Sequence, residues 1–433
     1  MSDPMLQRPT TNDSEQWKQY WAKQKQSWRT EPEIDPDRQQ DLAERLVTIK
    51  PSIKEGVYPF KGIHLTRADV EWLLATHDNR QGPIYRKDSD QSERQGVDLR
   101  GAYLRSADLS NLPLTRTRFG IGYEEWLETD DTEHGKLAAA DLESANFEGS
   151  HLEEAIFIHA NLKQTNFHHC YLEKAEFRFA NLERSDLGAT NLHGAYFPYA
   201  NLGGADLRFA VMNTDTLLFG AHLSNKTMLL DGVTWGGVNV IYIDWSNIHT
   251  LGDEFRARHS QQKTQIKLVK PQRFSDQPSD FQAAVRSYQL LATTLRNQGL
   301  NEEADRFAYR AQFCQRGVLR RQGWRASGRY LWSLFLDSIA GYGYQPLRTF
   351  GWYVLLVVGF AISYMVFGSI QGHPFTFHEG IIFSLTSFHG RGFFPGGLAL
   401  DDPITTIAAI EAVLGLMIEI SFIATFTQRY FGR

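Results

Sequence analysis

Residues 140–162 read ADLESANFEGSHLEEAIFIHANL and repeat one pattern every five residues. Leu or Phe occupies the centre of each unit, as at Leu142, Phe147 and Leu152, and Ala stands two residues before most centres. A period of five matches neither the period of about 3.6 of an α-helix nor the period of about two of a flat strand. The stretch therefore predicts a solenoid built from short structural repeats.

The period extends beyond this stretch in both directions. It begins near Val97, is interrupted by an acidic insertion at 120–136, and then resumes. The centres after the insertion are Leu142, Phe147, Leu152, Phe157, Leu162, Phe167, Leu172, Phe177, Leu182, Leu187, Leu192, Phe197, Leu202, Leu207, Met212 and Leu217. Asp or Asn precedes most of these centres. So many units in phase make the pattern highly specific.

The pattern resembles the pentapeptide-repeat family, A-[DN]-[LF]-x-x. The resemblance implies a right-handed quadrilateral β-helix, in which each unit forms one side and four units complete a coil. The small residue and the Leu or Phe then point inward, so Cys170, at a small-residue position, is expected to pack in the core. The units before the insertion are expected to add about one further coil, with backbones stacked at about 4.8 Å.

The C-terminal part of the chain contains two long apolar runs. Residues 350–370 (FGWYVLLVVGFAISYMVFGSI) carry no charged side chain, whereas 404–426 contains Glu411 and Glu419. Each run is long enough to cross a bilayer as a helix, which takes about 20 residues. Between them, 377–388 can form only about three helical turns, and a Gly-x-Gly loop follows it. This order predicts span, re-entrant pore loop at 376–397, and span.

The same order is similar to the pore module of potassium-channel-type proteins with two transmembrane helices. Residues 385–396 (LTSFHGRGFFPG) can be laid on the family's T-x-x-T-x-G-Y-G-D-x-x-P. The departures from that motif are Phe388 for Thr, His389 for Ile or Val, Arg391 for Tyr, Phe393 for Asp, and Pro395 one residue early. The architecture is expected to survive these changes, and the ion selectivity stays open.

The resemblance implies a selectivity filter and pore loop made of Thr386, Ser387, Phe388, His389, Gly390, Arg391, Gly392 and Phe393. Hydroxyls of the first two residues and carbonyls of the next three are the candidate ion contacts. The glycines would permit backbone with φ > 0. Arg391 would point away from the axis, toward Glu379 or Glu411. In the alternative, it faces the axis and favours anions.

Glu411 and Glu419 are eight residues apart and therefore share a helix face. An ionisable residue inside a membrane is a functional hypothesis by default. We expect Glu411 to brace the filter from behind and Glu419 to line the cavity and attract cations. In the alternative, both carboxylates pair structurally with polar groups. Gly415 between them is either a gating hinge or a close-packing site.

Composition limits the remaining classes of function. The chain has 433 residues, which leaves room for two or three domains. Its formal net charge of −5 argues against a nucleic-acid partner. Its two cysteines are far apart in the sequence, which favours free thiols. Nucleotide-loop, Ser-His-Asp and metal-ligand spacings are absent from the sequence. We therefore expect no enzyme activity, no catalytic, cofactor or metal site, and only a permeant monovalent ion such as K⁺.

Charged flanks predict the orientation of the two spans. Arginines cluster before the first span and follow the second, so both termini are expected on the cytoplasmic side of a bacterial inner membrane. No cleavable signal peptide is visible at the N-terminus. One chain cannot enclose a water path, so a homotetramer in contact with membrane lipid is expected.

These observations predict four regions. Residues 1–95 form a helical capping region, and 96–245 form the β-helix with its insertion at 120–136. Residues 246–327 combine a polar linker at 252–280 with a helical hairpin that resembles one tetratricopeptide-like unit. Residues 328–433 form an interfacial slide helix, near 331–339, and the transmembrane pore domain.

Two functions of different classes follow. The first is a tetrameric, potassium-channel-like ion channel that conducts cations and carries a cytoplasmic pentapeptide-repeat domain, which senses or docks a protein or ligand. The alternative is a membrane-tethered oligomeric scaffold, in which the β-helix binds a protein partner and the helices serve as anchor.

Overall fold

The computed structural model describes residues 8–11, 13–85, 94–129, 132–259, 280–371, 374–390 and 402–430. It divides into two compact units, Met1–Phe307 and Ala308–Arg433. Each unit is described by itself below.

The first unit begins with three helices, α1 (Ser14–Lys23), α2 (Pro36–Thr48) and α3 (Arg67–Arg80). Helix α3 confirms the capping helix predicted near 65–74. Its fully buried Glu71 accepts a hydrogen bond from Arg67 Nε at 2.9 Å, and Arg67 Nη2 donates to the carbonyl of Ser110 at 3.0 Å. A parallel bridge joins His64 to Tyr103. The N-terminal region therefore covers the first coil of the repeats.

As far as Val211, the repeats form coils of four five-residue units, as predicted. Parallel bridges join Asp141 to Asn161, Asn161 to Asn181, and Asn181 to Asn201, so residues 20 positions apart lie in successive coils. The later coils are 21–23 residues long, and this shift buries Leu218 and exposes Leu217, so Leu217 is not the inward-facing centre that the period predicted. All of this pairing consists of isolated bridges, and the described residues contain no extended strand. We call the coils at 97–240 the rod.

The insertion leaves the stacking of the rod intact. It contains two short helices, α4 (Tyr123–Thr129) and α5 (Thr132–Ala138). Tyr103 bridges to Asp141 and Arg118 bridges to Ile156 across it. The units before the insertion therefore stack directly on those after it, which confirms the predicted additional coil.

The core of the rod consists of side chains in columns. Phe rings stack at centroid distances of 4.7–5.2 Å, close to the coil spacing. One column contains Phe119, Phe157, Phe177 and Phe197, and a second contains Phe147 and Phe167. Cys170 is buried and donates its thiol hydrogen to the carbonyl of Phe147 at 2.8 Å, and burial raises the thiol pKa to about 12. Its expected packing role is confirmed.

The corners of the rod need backbone with positive φ. The residue two positions after a centre has φ of +57° at Glu154, +59° at Gln164 and +57° at Lys174. Such values are uncommon outside glycine, and tight turns of the chain require them. The coil geometry imposes the conformation on whichever side chain stands there.

The C-terminal end of the rod corrects the predicted linker at 252–280. Helix α6 (Gly252–His259) packs there instead of a flexible chain. Buried Asp253 accepts a hydrogen bond from the backbone N–H of Leu230 at 2.8 Å, and buried Glu254 accepts one from Tyr288 Oη at 2.7 Å. Charged residues make these contacts, so no apolar periodicity marks the helix. Residues 260–279 of that linker lie outside the described residues.

The two helices of the predicted hairpin are confirmed as α7 (Asp280–Asn297) and α8 (Asn301–Arg321). Gly299 between them has φ of +83°. Within the first unit, Tyr288 of α7 and Trp245 each pack on Phe307 at ring-centroid distances of 6.0 Å. The predicted closing segment at 231–245 begins as a further coil, because a parallel bridge joins Asn239 to Leu217.

In the described part of the second unit, the further α-helices are α9 (Ser327–Ala340), α10 (Pro346–Gln371), α11 (Phe377–Phe388) and α12 (Pro403–Tyr430). Two segments, Pro346–Ile370 and Pro403–Thr427, are long and apolar enough to cross a membrane. They contain the two runs identified in the sequence. Helix α11 packs against both, and buried Tyr364, Phe383 and Ile404 lie in the contact region.

Candidate functional site

The short helix α11 has well-defined ends. At its N-terminus, Thr376 and Glu379 form a capping box, with Thr376 N–H and Oγ1 each donating to Glu379 Oε2 at 2.8 Å. At its C-terminus, Gly390 has the predicted positive φ, +66°, and its N–H donates to the carbonyl of Ser387 at 2.9 Å. The capping box begins the helix and Gly390 ends it, so the helix is only about three turns long. Glu379 caps its own helix in this arrangement.

Glu411 of α12 is fully buried between the other two helices of the second unit. Its Oε2 accepts a hydrogen bond from Tyr364 Oη of α10 at 2.5 Å, and its Oε1 is hydrogen-bonded to Ser384 Oγ of α11. Ser384 Oγ also lies 3.0 Å from the carbonyl of Val357 in α10. One carboxylate thus joins all three helices. The pairing corresponds to the alternative in which Glu411 has structural polar partners, and the bracing of a filter stays a prediction.

Gly415 lies one turn further along α12 and contacts the end of α11. A Cβ atom on Gly415 would lie 2.2 Å from the carbonyl oxygen of Phe388 and 2.9 Å from its ring. Helix α12 therefore approaches α11 more closely than any larger residue would allow. Of the two roles proposed for Gly415, the packing supports the close-packing site.

His389 and Glu419 form a pair at the other side of this contact. His389 Nδ1 lies 2.9 Å from Glu419 Oε1, and both side chains are about two-fifths exposed. They line an apolar groove of about 330 Å³ together with Tyr353, Ile418 and Phe422 among others. The pairing corresponds to the alternative in which Glu419 has a structural partner. Its partial exposure leaves the carboxylate accessible from the groove.

The remaining predicted filter residues occupy the last turn of α11. Thr386 Oγ1 donates to the carbonyl of Phe383 at 2.9 Å. Ser387 is buried, and its hydroxyl has no hydrogen-bond partner among the described residues. The buried ring of Phe388 packs edge-on against Tyr353 at 4.9 Å. Arg391, Gly392 and Phe393 lie outside the described residues. The predicted ion contacts therefore stay predictions.

Two residues of this site, Tyr364 and Ser384, were absent from the sequence prediction. The sequence contained one usable signal, because a buried tyrosine hydroxyl almost always has a polar partner. Tyr364 is one of two tyrosines in the uncharged run at 350–370, and Glu411 is one of two carboxylates in the run at 404–426. Pairing the polar groups of the two apolar runs would have suggested the contact.

The rod contains a second candidate surface, an exposed aromatic corner. Rings contact one another along one corner at centroid distances of 4.9–5.4 Å, with the first two pairs stacked and the last two edge-on. The members of this aromatic corner are His159, Phe179, Tyr199, Phe219 and Tyr242. Tyr199 and Tyr242 are more than half exposed.

Among the described residues, no group of three His, Cys, Asp or Glu side chains is placed to hold a metal ion.

Comparison with known proteins identifies the repeats. A family model described as pentapeptide repeats matches residues 95–120, 136–173 and 175–213, in eight copies. Residues 95–213 are therefore a pentapeptide-repeat domain, and the rod has the β-helix fold of such domains. No curated protein matches the chain.

Several solved structures are similar to this region. The pentapeptide repeat protein Rfr23 from the cyanobacterium Cyanothece 51142 is 25% identical, covers 31% of this chain and 87% of its own, and has a TM-score of 0.21. Full-length QnrB1, a plasmid-mediated fluoroquinolone resistance protein, is 16% identical over 38% of this chain and 86% of its own, with a TM-score of 0.17. HetL, a pentapeptide repeat protein involved in heterocyst differentiation regulation from Nostoc sp. strain PCC 7120, is 21% identical. The match covers 36% of this chain and 84% of HetL, with a TM-score of 0.14.

Proposed function

We propose that this chain is a potassium-channel-like ion channel that assembles as a homotetramer, conducts cations and carries the rod as a cytoplasmic sensing or docking domain. One observation carries the proposal. A helix too short to span, ended by Gly390 with φ of +66°, is held between two candidate spans by buried Glu411. Non-helical backbone at membrane depth is tolerated where it is buried in protein or lines water.

The tetramer is part of this proposal because two spans and one loop cannot surround a water path. Closed symmetry places the same loop around one axis in every subunit. In that arrangement, backbone carbonyls near Gly390 replace the hydration shell of the ion. Both termini lie in the cytoplasm, and the membrane is a bacterial inner membrane.

A planar-bilayer measurement tests the proposal. Purified full-length protein is reconstituted under asymmetric potassium, sodium and chloride, and the reversal potential is recorded. We expect a potential near the potassium value. A value near that of chloride would place Arg391 on the axis and contradict cation conduction. No current from an assembled, folded protein would contradict the channel itself.

A matched pair of variants assigns the current to the loop. Gly390→Val with Gly392→Val places a branched side chain at the positive-φ position 390 and replaces the second glycine of the Gly-x-Gly sequence, and it should abolish current while the oligomer persists. The control is Gly351→Val with Gly359→Val in α10, where an added Cβ meets no atom within 4 Å. The control should conduct as the wild type does. Unchanged current in the loop variant would contradict the assignment.

The aromatic corner favours a second candidate function, a membrane-tethered scaffold whose rod binds a protein partner. Exposed aromatic rings are enriched where proteins bind one another. Under this alternative, the Gly390→Val and Gly392→Val variant keeps its cellular function. Replacement of Tyr199 and Tyr242 by Ser then abolishes that function, with the purified protein still folded.

A further inference from the structure

The segment that leads into the first candidate span is strongly basic. Residues 306–336 contain seven arginines and neither Asp nor Glu. Arg320, Arg325 and Arg329 are exposed and lie on both sides of Trp324 in the sequence, and Trp324 is 91% exposed. We call these four residues the arginine collar. A positive surface of this kind attracts an anionic partner.

The collar differs from the neighbouring arginines in its partners. Arg316 Nη1 lies 2.8 Å from Asp337 Oδ2, which neutralises its charge. Neither Arg320 nor Arg325 forms an ion pair with a described residue, and Arg329 has a 3.4 Å hydrogen bond to the neutral side chain of Gln322. The collar charges are therefore available to an external ligand.

An apolar face follows the collar on helix α9. Leu331 is 64% exposed and Trp332 is 56% exposed, and the Trp332 ring stacks on Phe335 at 5.3 Å. On the other side of the helix, Ser333 is hydrogen-bonded to Tyr342 at 2.6 Å. Helix α9 thus has one protein-facing side and one exposed apolar side, as interfacial helices have.

Helix α9 is fastened to the beginning of the first candidate span. Trp352 Nε1 donates to the carbonyl of Ser338 at 2.8 Å, and Thr349 Oγ1 donates to the carbonyl of Ile339 at 3.1 Å. Trp352 and Thr349 lie in the first two turns of α10. The C-terminal end of α9 therefore lies at the end of the span where the bilayer begins, and the collar lies at the opposite end of the same helix, beyond the exposed apolar face.

We infer that the arginine collar binds the phosphate headgroups of anionic phospholipid in the adjoining leaflet, with Trp324 and Trp332 at the headgroup level. This inference rests on the membrane insertion in the proposed function. Charge complementarity and continuity with the span select the lipid as the occupant. Guanidinium groups bind phosphate oxygens in pairs, and indole rings favour the membrane interface.

Tryptophan quenching tests the inference on the full chain in mixed micelles. The protein is titrated with brominated phosphatidylglycerol or brominated phosphatidylcholine, and the half-saturating lipid fraction is measured. Each surface arginine contributes about fivefold to anionic-lipid affinity, so three together give a preference on the order of 100-fold. The preference should weaken as salt is raised. A Trp324→Phe variant should lose part of the preferential quenching.

Charge variants locate the site. Arg320→Gln, Arg325→Gln and Arg329→Gln together should remove the preference, whereas the triple Arg→Lys variant should keep most of it. The matched control, Lys174→Gln, Arg184→Gln and Lys226→Gln, removes three exposed charges from the rod and should leave the preference unchanged.

Three outcomes overturn the inference: a wild type without preference, a Gln variant that keeps it, or a control that loses it equally. Specific displacement of phosphatidylglycerol by inorganic phosphate at constant ionic strength would assign the collar to a free anion and also overturn it. The quenching assay reports lipid binding and does not depend on whether the protein conducts ions. A silent channel with intact lipid preference therefore contradicts the proposed function alone.

Discussion

The rod and the second unit, with its two candidate spans, obtain their order by different means. In the rod, each position is determined by its phase in a five-residue period, and stacked neighbours satisfy the backbone. In the second unit, periodicity defines only the helices, and the packing between them depends on a few residues such as Glu411 and Gly415. The stability of the rod is therefore spread over many equivalent contacts. The packing of α10, α11 and α12 depends instead on a few contacts.

The largest effect is expected from the core of the rod, where Phe167→Ala tests whether stability is spread. Phe167 is fully buried in its column, so its truncation should cost about 3–5 kcal/mol. Hydrogen exchange of the full-length protein should show the loss spreading to adjacent coils. The exposed control, His193→Ala, should stay within about 0.5 kcal/mol. A loss confined to one coil would contradict the stacked description.

Next in size is Glu411→Leu, which tests the concentrated contact. The change leaves the hydroxyl of Tyr364 buried without its partner, which costs about 1–3 kcal/mol, whereas the hydroxyl of Ser384 keeps the carbonyl of Val357 as an acceptor. We expect a lower unfolding temperature in detergent and loss of current. Glu411→Gln keeps an acceptor oxygen and serves as the control, with a smaller loss. Equal stability of wild type and the Leu variant would remove Glu411 from its bracing role.

A smaller effect is expected from Gly415→Ala, with Gly359→Ala as its partner. The new Cβ at position 415 would overlap the Phe388 carbonyl, whereas position 359 has open space. Overpacking typically costs about 1–3 kcal/mol. Thermal unfolding and current should change in the first variant and not in the second. Matching behaviour of the two variants would restore the gating hinge as the role of Gly415.

The smallest effect concerns pH and the end of the rod. Burial raises the pKa of Asp253 to about 6, and the nearby carboxylate of Asp231 adds to the increase. Because the pKa of Asp253 is higher in the folded than in the unfolded protein, protonated Asp253 stabilises the folded state fully below about pH 4. This contribution to stability is lost as pH rises through about 6. Exchange protection of α6 should therefore be lower at pH 7.5 than at pH 5.

The variant Asp253→Asn checks the origin of this dependence. Asn still accepts the hydrogen bond from Leu230 and carries no charge at any pH. We expect it to gain about 1–2 kcal/mol of local stability at pH 7.5 and to flatten the pH profile. A pH dependence that persists in the Asn variant would exclude Asp253 as its source.

The sequence predicted most of what periodicity encodes. The coil of four units, the small residue at Cys170 and the short helix α11 at 377–388 all follow from patterns of several residues. Helices α4 and α5 were missed because seven-residue segments carry too little periodicity. Helix α6 was missed because Asp253 and Glu254 provide its buried contacts, and hydrophobic patterning does not detect charged residues.

The candidate site was predictable in part. Glu411 was singled out because a carboxylate in an apolar run needs a partner. Its partners lie 47 and 27 residues away, and no local pattern connects such distances. His389 and Glu419 are likewise 30 residues apart, so no local pattern predicts their pairing. Residues were therefore predictable one by one, while their contacts required the packing of α10, α11 and α12.

The two ends of the rod have a consequence for solubility. Each coil offers its backbone N–H and carbonyl groups to the next, so a bare terminal coil is a template for another chain. Helix α3 and the strand-like pairing at His64 cover one end, and α6 covers the other through Asp253. Without these covers, rods would join end to end, and the repeat domain would become the building block of a fibre.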